Sequence, residues 1–478
     1  MPEDLSLAMP APQTSSLLDR VIANIRHAWR GDGDGSIADR LKPDLPDADL
    51  AALRRQIDAC LEGPGGEVSA RLRAADLARG YLRLNDQGRR RFLLHLAERY
   101  DIRERDLNAA VTTYSIADSG PAKHAARAAL AEALVSPRVK LLTQFNGVEY
   151  GVRFLIELRA DLRRFRKEDP ELADLDRDLH KLLAAWFDVG FLELQKITWR
   201  SPATLLEKLI DYEAVHAIGS WDDLKHRLRG DRCCYAFFHP VMPEEPLIFV
   251  EVALVDGIAG NVQKLLDPAL PEMDSEQADT AIFYSISNCQ PGLAGVSFGN
   301  FLIKRVVDRL RRDLPNARTF STLSPIPGFA RWLRSELETR GEAALNGGEH
   351  SEIKALSGND DAATGLLALL ERPDWYKDTE VTEAIRECMI RLCGRYLCST
   401  GDKGRALDRV AHFHLANGAR VERINWLADT SQRGRNDSFC MMVNYLYEHR
   451  EIESNHEAYH GEGRIMTSPP VRRLAKGK

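Results

Sequence analysis

Over the first 188 positions apolar residues recur three or four apart. LAALRRQIDACLEG, RRRFLLHLAERY and VRFLIELRADLRRFR show the spacing, as does SSLLDRVIANIRHAWR nearer the start. That period places apolar side chains on one stripe of a helix. Short breakers (GDGDGS, EGPGG, KEDPE) separate the segments, and strand signals are scarce. The pattern predicts an all-helical bundle from about Ser16 to Asp188, behind a flexible leader, MPEDLSLAMPAPQTSS. After Trp199 the pattern shortens. CCYAFFHP and PLIFVEVALV read as two strands joined by the turn-rich VMPEEP. RTFSTLS is a further strand stopped by PIPG, and FARWLRSELETR restarts a helix. Residues 341–399 read as a helical insertion. RVAHFHLANGARVERINWLAD reads as two strands around Asn417-Gly418, and FCMMVNYLYEHREI as one more. The expected organisation is α+β: a helical domain over 1–188, then a mixed, mainly antiparallel sheet domain over 189–478.

One segment of the second half couples a buried strand to a glycine-rich loop and an amphipathic helix. Ala281–Ile286 is apolar, Gly292, Gly295 and Gly299 follow, and Leu302, Ile303, Val306, Val307 and Leu310 recur at helical spacing. Glycine lets a backbone turn sharply or approach a neighbour closely. A helix N-terminus offers free N–H groups to a phosphate. The loop is not a Walker A motif, since no GK[ST] follows, and it is a poor GxGxxG. Structural turns are the plain alternative to a phosphate site.

At 478 residues the chain is too long for one ordinary core. A net charge of −6 with no basic stripe argues against nucleic acid, and the apolar runs are strand-length and interrupted, so no membrane span is expected. The N-terminus lacks the basic and apolar regions of a secretory signal. Eight cysteines, with Cys233 and Cys234 adjacent, form no disulfide framework and no CxxC pair, which fits a reducing cytoplasm.

Ser324 falls at a strand end before PIPG, where a hydroxyl either faces a cleft or satisfies a turn amide. His412 and His414 fall on one face of the expected strand, with Phe413 and Leu415 on the other. A His-x-His pair can bind metal, but no third ligand has suitable spacing, so no metal is expected. Core histidines and a proton-transferring imidazole remain the alternatives. Arg423, Asn425, Asp429, Arg433 and Arg435 cluster around Trp426 as a surface hairpin or an anion contact. Cys289 is read as packing. Tyr445 and Tyr447 are read as half-buried strand residues with polar tips available to a pocket.

AIFYSIS…GLAGVSFGNFLIKRVV, STLSPIPGFARWL and FHLANGARVERINWLAD, taken in order with DYEAVHAI, RCCYAFFHP and RLCGRYL, resemble the malonyl-CoA decarboxylase family over roughly Phe187 to His460. The resemblance implies a catalytic domain with the GNAT acetyltransferase fold behind a helical domain that supports oligomerisation, with a homotetramer expected. It implies malonyl-CoA as substrate and no cofactor. It places acyl-CoA binding on Ala294, Gly295, Val296, Ser297, Phe298, Gly299 and Asn300, with Ser285 and Tyr447 near the substrate pocket. His414 (not His412) takes the place of the proton donor, and Ser324 that of its serine partner. Some relatives carry glutamine where this chain has Ala294 and glutamate where it has Ser297, so only backbone contacts carry over there. An N-acyltransferase sharing the CoA loop is the alternative, and a catalytically silent CoA-sensing scaffold is a third reading.

Overall fold

The computed structural model describes residues 36–62, 67–187, 189–296, 302–401 and 404–476. SSLLDRVIANIRHAWR, Ser297, Phe298, Gly299 and Asn300 lie outside the described residues. The chain divides into two compact units. One holds the N-terminal helices with residues 239–243 and 290–296, and the other holds most of the chain from Val189 onward.

In the first unit the expected helices form. Among them are Asp47–Glu62, Asp86–Arg99, Gly151–Phe165 (here α1) and Ala173–Trp186. Their stripes meet in a core that includes Leu53, Ile57, Phe92, Phe145, Phe154 and Leu183, each 0 % exposed. The described part of the glycine loop packs on α1. A Cβ on Gly292 would lie 1.9 Å from the Ile156 carbonyl oxygen, so only glycine admits this approach. The buried Arg159 guanidinium, paired with Asp176 at 2.9 Å, donates to the Gly292 carbonyl at 2.6 Å and the Ala294 carbonyl at 3.1 Å.

The second unit is built on an eight-stranded sheet. β1 (Glu193–Ile197), β2 (Arg232–Phe238), β3 (Ile248–Val255) and β4 (Thr280–Asn288) run antiparallel in order. β5 (Thr319–Thr322) then pairs parallel with β4. β6 (Ser324–Pro325) and β7 (Arg420–Asn425) both pair antiparallel with β8 (Met442–Leu446), which also meets β5 at one pair. The expected CCYAFFHP/PLIFVEVALV hairpin is β2–β3. The expected amphipathic helix is α2 (Leu302–Asp313), burying Leu302, Ile303, Val306, Val307 and Leu310. Between α2 and β7 the chain is mostly helical, with Phe329–Arg340, Gly347–Ser357, Ala362–Glu371 and Thr379–Leu397 as its long elements. Parallel pairing of β4 with β5 stops at Phe283 opposite Thr322, where β5 ends while β4 runs on to Asn288.

The sequence reading fails at RVAHFHLANG, which is a helix, α3 (Arg409–Ala416), and not a strand. Asp408 caps it by accepting from the Val410 and Ala411 N–H groups at 2.8 and 3.0 Å. Ala411, His414, Leu415 and Ala416 are its buried residues, with 411, 414 and 415 at helical spacing. Asn417-Gly418 ends this helix instead of turning a hairpin. Gly418 has φ +83° and its N–H donates to the Leu415 carbonyl at 3.0 Å. Its missing side chain also lets the Ile452 carbonyl approach.

Candidate functional site

Three elements place a hydrogen-bonded line of side chains in the second unit. β6 presents Ser324, α3 presents His414, and Tyr447 follows β8. Ser324 Oγ lies 3.0 Å from His414 Nε2, and the Tyr447 hydroxyl lies 2.8 Å from His414 Nδ1. Ser324 Oγ also bonds Thr322 Oγ1 at 2.8 Å, which accepts the Tyr445 N–H at 3.0 Å. The Tyr445 ring stacks on the imidazole with centroids 4.5 Å apart. All four side chains around His414 are buried. The two tyrosines are fully buried, where half-buried strand residues were expected.

No charged group compensates the imidazole. Burial alone pushes His414 down to about 3, so it is neutral at neutral pH. A neutral imidazole carries one donor and one acceptor, which suits a position between two hydroxyls. Burial likewise holds the Tyr447 phenol protonated. The line is therefore uncharged at rest, able to pass a proton without first separating charge.

Ser324 and His414 open onto a pocket of about 410 Å³ lined by the C-terminal half of β4, by β6 and by α3. Ile248, Phe283, Ile286 and Phe413 supply apolar walls, and Ser287, Asn288, Arg409 and Arg433 supply polar ones. Ala214 and Val215 close one side. The structure thus brings Ser324, His414 and Tyr447 together across 123 positions of sequence (447 − 324).

It separates others. Ser285 does not line the pocket. Its hydroxyl donates to Glu213 at 2.7–2.8 Å, within a buried cluster that also holds Ser287, Glu251 and Arg227. His412, two residues from His414, points elsewhere on the helix and bonds the Tyr459 hydroxyl at 2.7 Å. The expected strand face shared by His412 and His414 does not exist, because residues two apart on a helix diverge by about 200°. Among the described residues no group of three or more metal-ligating side chains forms. The five polar residues around Trp426 disperse. Arg423 bonds Asn425 and Asn444, Arg435 bonds Tyr376, and only Arg433 reaches the pocket. Cys289 is buried in a hydrophobic cluster, its thiol pushed up by desolvation, as expected for packing.

In the glycine loop, Gly295 has φ +82° and its carbonyl lies 3.0 Å from His180 Nε2. The Ala294 and Val296 N–H groups are spent on the Pro291 and Leu293 carbonyls. Thr322 and Arg409 escaped the sequence reading. Thr322 is two residues from Ser324 in an undistinguished strand, and Arg409 acquires meaning only once 409–416 is known to be a helix.

Residues 190–478 match the family described as malonyl-CoA decarboxylase C-terminal domain, and residues 100–187 match its N-terminal domain. The malonyl-CoA decarboxylase of Rhodopseudomonas palustris has a similar structure. It is 39 % identical with a TM-score of 0.81, covering 88 % of this chain and 99 % of that one. The Cupriavidus metallidurans enzyme is 42 % identical with a TM-score of 0.70, over 89 % of this chain and all of that one. The protein of Anser anser anser named malonyl-CoA decarboxylase, mitochondrial, is 42 % identical over 70 % of this chain and 69 % of its own length.

Proposed function

The chain belongs to the malonyl-CoA decarboxylase family, and from that premise we propose that it converts malonyl-CoA to acetyl-CoA and CO2 in the Ser324–His414 pocket. The observation that carries the assignment is the uncharged line Ser324–His414–Tyr447 ending in that pocket. Malonyl-CoA needs no electron sink beyond its own thioester. The bond from C2 to the carboxylate breaks, its electron pair enters the thioester as an enolate, and CO2 departs. One proton must then reach C2.

His414 is the proton donor in this reading. Tyr447 donates to Nδ1, so Nε2 carries the hydrogen toward Ser324, and the Ser324 hydroxyl hands a proton to C2 as Nε2–H replaces it. Solvent resets the line after product leaves, so each turnover consumes one proton. A neutral imidazole suffices because the enolate carbon is a far stronger base than the groups it faces, a pattern known from other neutral histidine electrophiles. The pocket's hydroxyls also offer hydrogen bonds to the developing oxyanion, each worth roughly 3–4 kcal/mol when preorganised.

Binding of the CoA phosphates is proposed for the loop 294–300. The Ala294 and Val296 N–H groups are already used, so the contacts are proposed for Gly295 and for residues 297–300. Gly295→Val should weaken CoA binding in a calorimetric titration, because a branched residue resists φ +82°. A homotetramer assembled through the helical region is likewise proposed, with light scattering of the full chain as its test. A reducing compartment, taken as the cytoplasm, is supported by eight unpaired cysteines. Among the described residues no helix is long and apolar enough to cross a membrane.

Incubation with malonyl-CoA alone tests the central reading. Acetyl-CoA and CO2 should appear in equal amounts without an acceptor amine. An amine-dependent reaction from acetyl-CoA would instead revive the N-acyltransferase alternative, which the family match does not favour.

A further inference from the structure

We propose that Arg409 recognises the free carboxylate of the acyl group and so makes this pocket prefer a malonyl to an acetyl thioester; the assignment rests on the decarboxylase reading above. Arg409 and Phe413 are four apart on α3, as are Val410 and His414, and all four line the pocket. Side chains at that spacing share a helix face. Arg409 therefore stands about 6 Å along the axis from Phe413, on the pocket side. His414 is 3 % exposed at the floor, whereas Arg409 is exposed at the mouth.

Arg409 and Arg433 are the only formal charges among the described lining residues, and no carboxylate joins them. Arg433 is engaged. Its guanidinium donates to the Ala214 and Val215 carbonyls and its Nε lies 3.6 Å from Asp437. The Arg409 side chain has no hydrogen bond or ion pair to any described residue. A cation held over a neutral cavity of about 410 Å³ calls for an anion that fits inside. The malonyl carboxylate meets that need.

Its place at the mouth also suits the chemistry. A desolvated ion pair would stabilise the ground-state carboxylate, whose charge is lost from that end in the transition state, and would raise the barrier. An exposed, screened arginine attracts and orients the carboxylate through a shallow interaction. As the bond breaks, charge moves inward toward the hydroxyls around His414. Acetyl-CoA, lacking the carboxylate, loses this contact and leaves.

The test uses the full chain as wild type, Arg409→Gln and Arg409→Lys. The measurements are kcat and KM for malonyl-CoA and the inhibition constant of acetyl-CoA, each at low and high salt. Arg409→Gln should raise KM about fivefold, the scale of an exposed ion pair. It should leave kcat within about twofold and the acetyl-CoA constant unchanged. Arg409→Lys should recover most of the loss. The wild-type ratio of malonyl-CoA KM to acetyl-CoA constant should rise with salt and that of Arg409→Gln should not. An unchanged KM, a parallel rise in the acetyl-CoA constant, or a kcat fall with KM intact would each overturn the assignment. Should wild type release no CO2, the decarboxylase reading fails instead. Calorimetric titration with malonyl-CoA and acetyl-CoA then decides Arg409 alone, which must lose the preference between them on substitution.

Discussion

Two buried polar networks share one sheet and are built on opposite electrostatics. Ser324, His414, Tyr447 and Thr322 form a line with no formal charge. Glu213, Glu251, Arg227 and Asp223 form an ionic cluster in which Arg227 donates to Asp223 and Glu251 and the Ser285 and Ser287 hydroxyls donate to Glu213. The ionic cluster is a fastener. Glu213 accepts the Val215 and His216 N–H groups at 2.8 and 2.7 Å, and Arg227 donates to the Ala217 carbonyl at 3.1 Å. It therefore ties the 214–217 loop, and with it the pocket wall at Ala214 and Val215, to β3 and β4. The uncharged line opens into the pocket and is free to exchange a proton. Charge fixes the wall, and its absence keeps the floor reactive.

The largest effect should come from the floor. His414→Asn keeps some hydrogen bonding but cannot transfer a proton, and kcat should fall about a thousandfold with a much smaller change in substrate affinity. Ser324→Ala should also lose activity, and the double variant should lose less than the product of the two losses, since both act on one proton path. Multiplicative losses in a CO2-release assay would break the line into independent parts.

Arg227→Met should act on stability first. Removing one partner of a buried ion cluster costs about 3–5 kcal/mol. Urea denaturation should show that loss, while kcat falls less than in His414→Asn and KM rises as the wall loosens. A variant as inactive as His414→Asn but fully stable would erase the distinction between wall and floor.

The pH dependence of stability should carry opposite signs for the two networks. An unfolded histidine takes a proton near pH 6.5, but buried His414 refuses one until about 3. The unfolded chain then binds more protons, so this group costs stability as pH falls from 6.5 toward 3. Glu251 is the reverse. Burial, with Glu213 nearby, raises it from 4.5 to about 8 against the pull of Arg227. The native state holds the extra proton, so its contribution is complete below 4.5 and is lost as pH rises through 8. Denaturation midpoints at pH 5, 7 and 8.5 measure both limbs. His414→Asn should flatten the acid limb and Glu251→Gln the alkaline one; a variant that flattens the other limb contradicts this division.

The smallest effect belongs to His412→Asn. It removes a bond to Tyr459 outside the pocket, and kcat should stay within about twofold. Inactivity of this variant alongside a functional His414→Asn would reverse the choice of proton donor.

Local pattern carried the elements whose burial is uniform or follows one period. β2, β3 and β4 were legible as short apolar runs buried on both faces, and α2 because its apolar spacing is set by one face packed on a core. RVAHFHLANG was not, because alternating histidines imitate a strand and Asn-Gly serves equally as a hairpin turn or a helix end. The Asp408 cap and the approach of Ile452 to Gly418 resolve that choice, and both depend on contacts beyond the window. Ser285 shows the same limit at the site. A serine on the right strand looked like a pocket residue, yet its hydroxyl is spent on Glu213 and belongs to the fastener.

The sequence by itself determined the helical first half, the strand–loop–helix segment and, through motifs in order, the family and the candidates Ser324 and His414. Those are properties of residue type and spacing, which a linear text preserves. Only the tertiary structure decided that a serine and a histidine 90 positions apart meet at 3.0 Å, that the imidazole is neutral, and that Arg409 lines the same pocket. Proximity, desolvation and the direction of a helix face arise from the packing of distant segments, and no local pattern contains them.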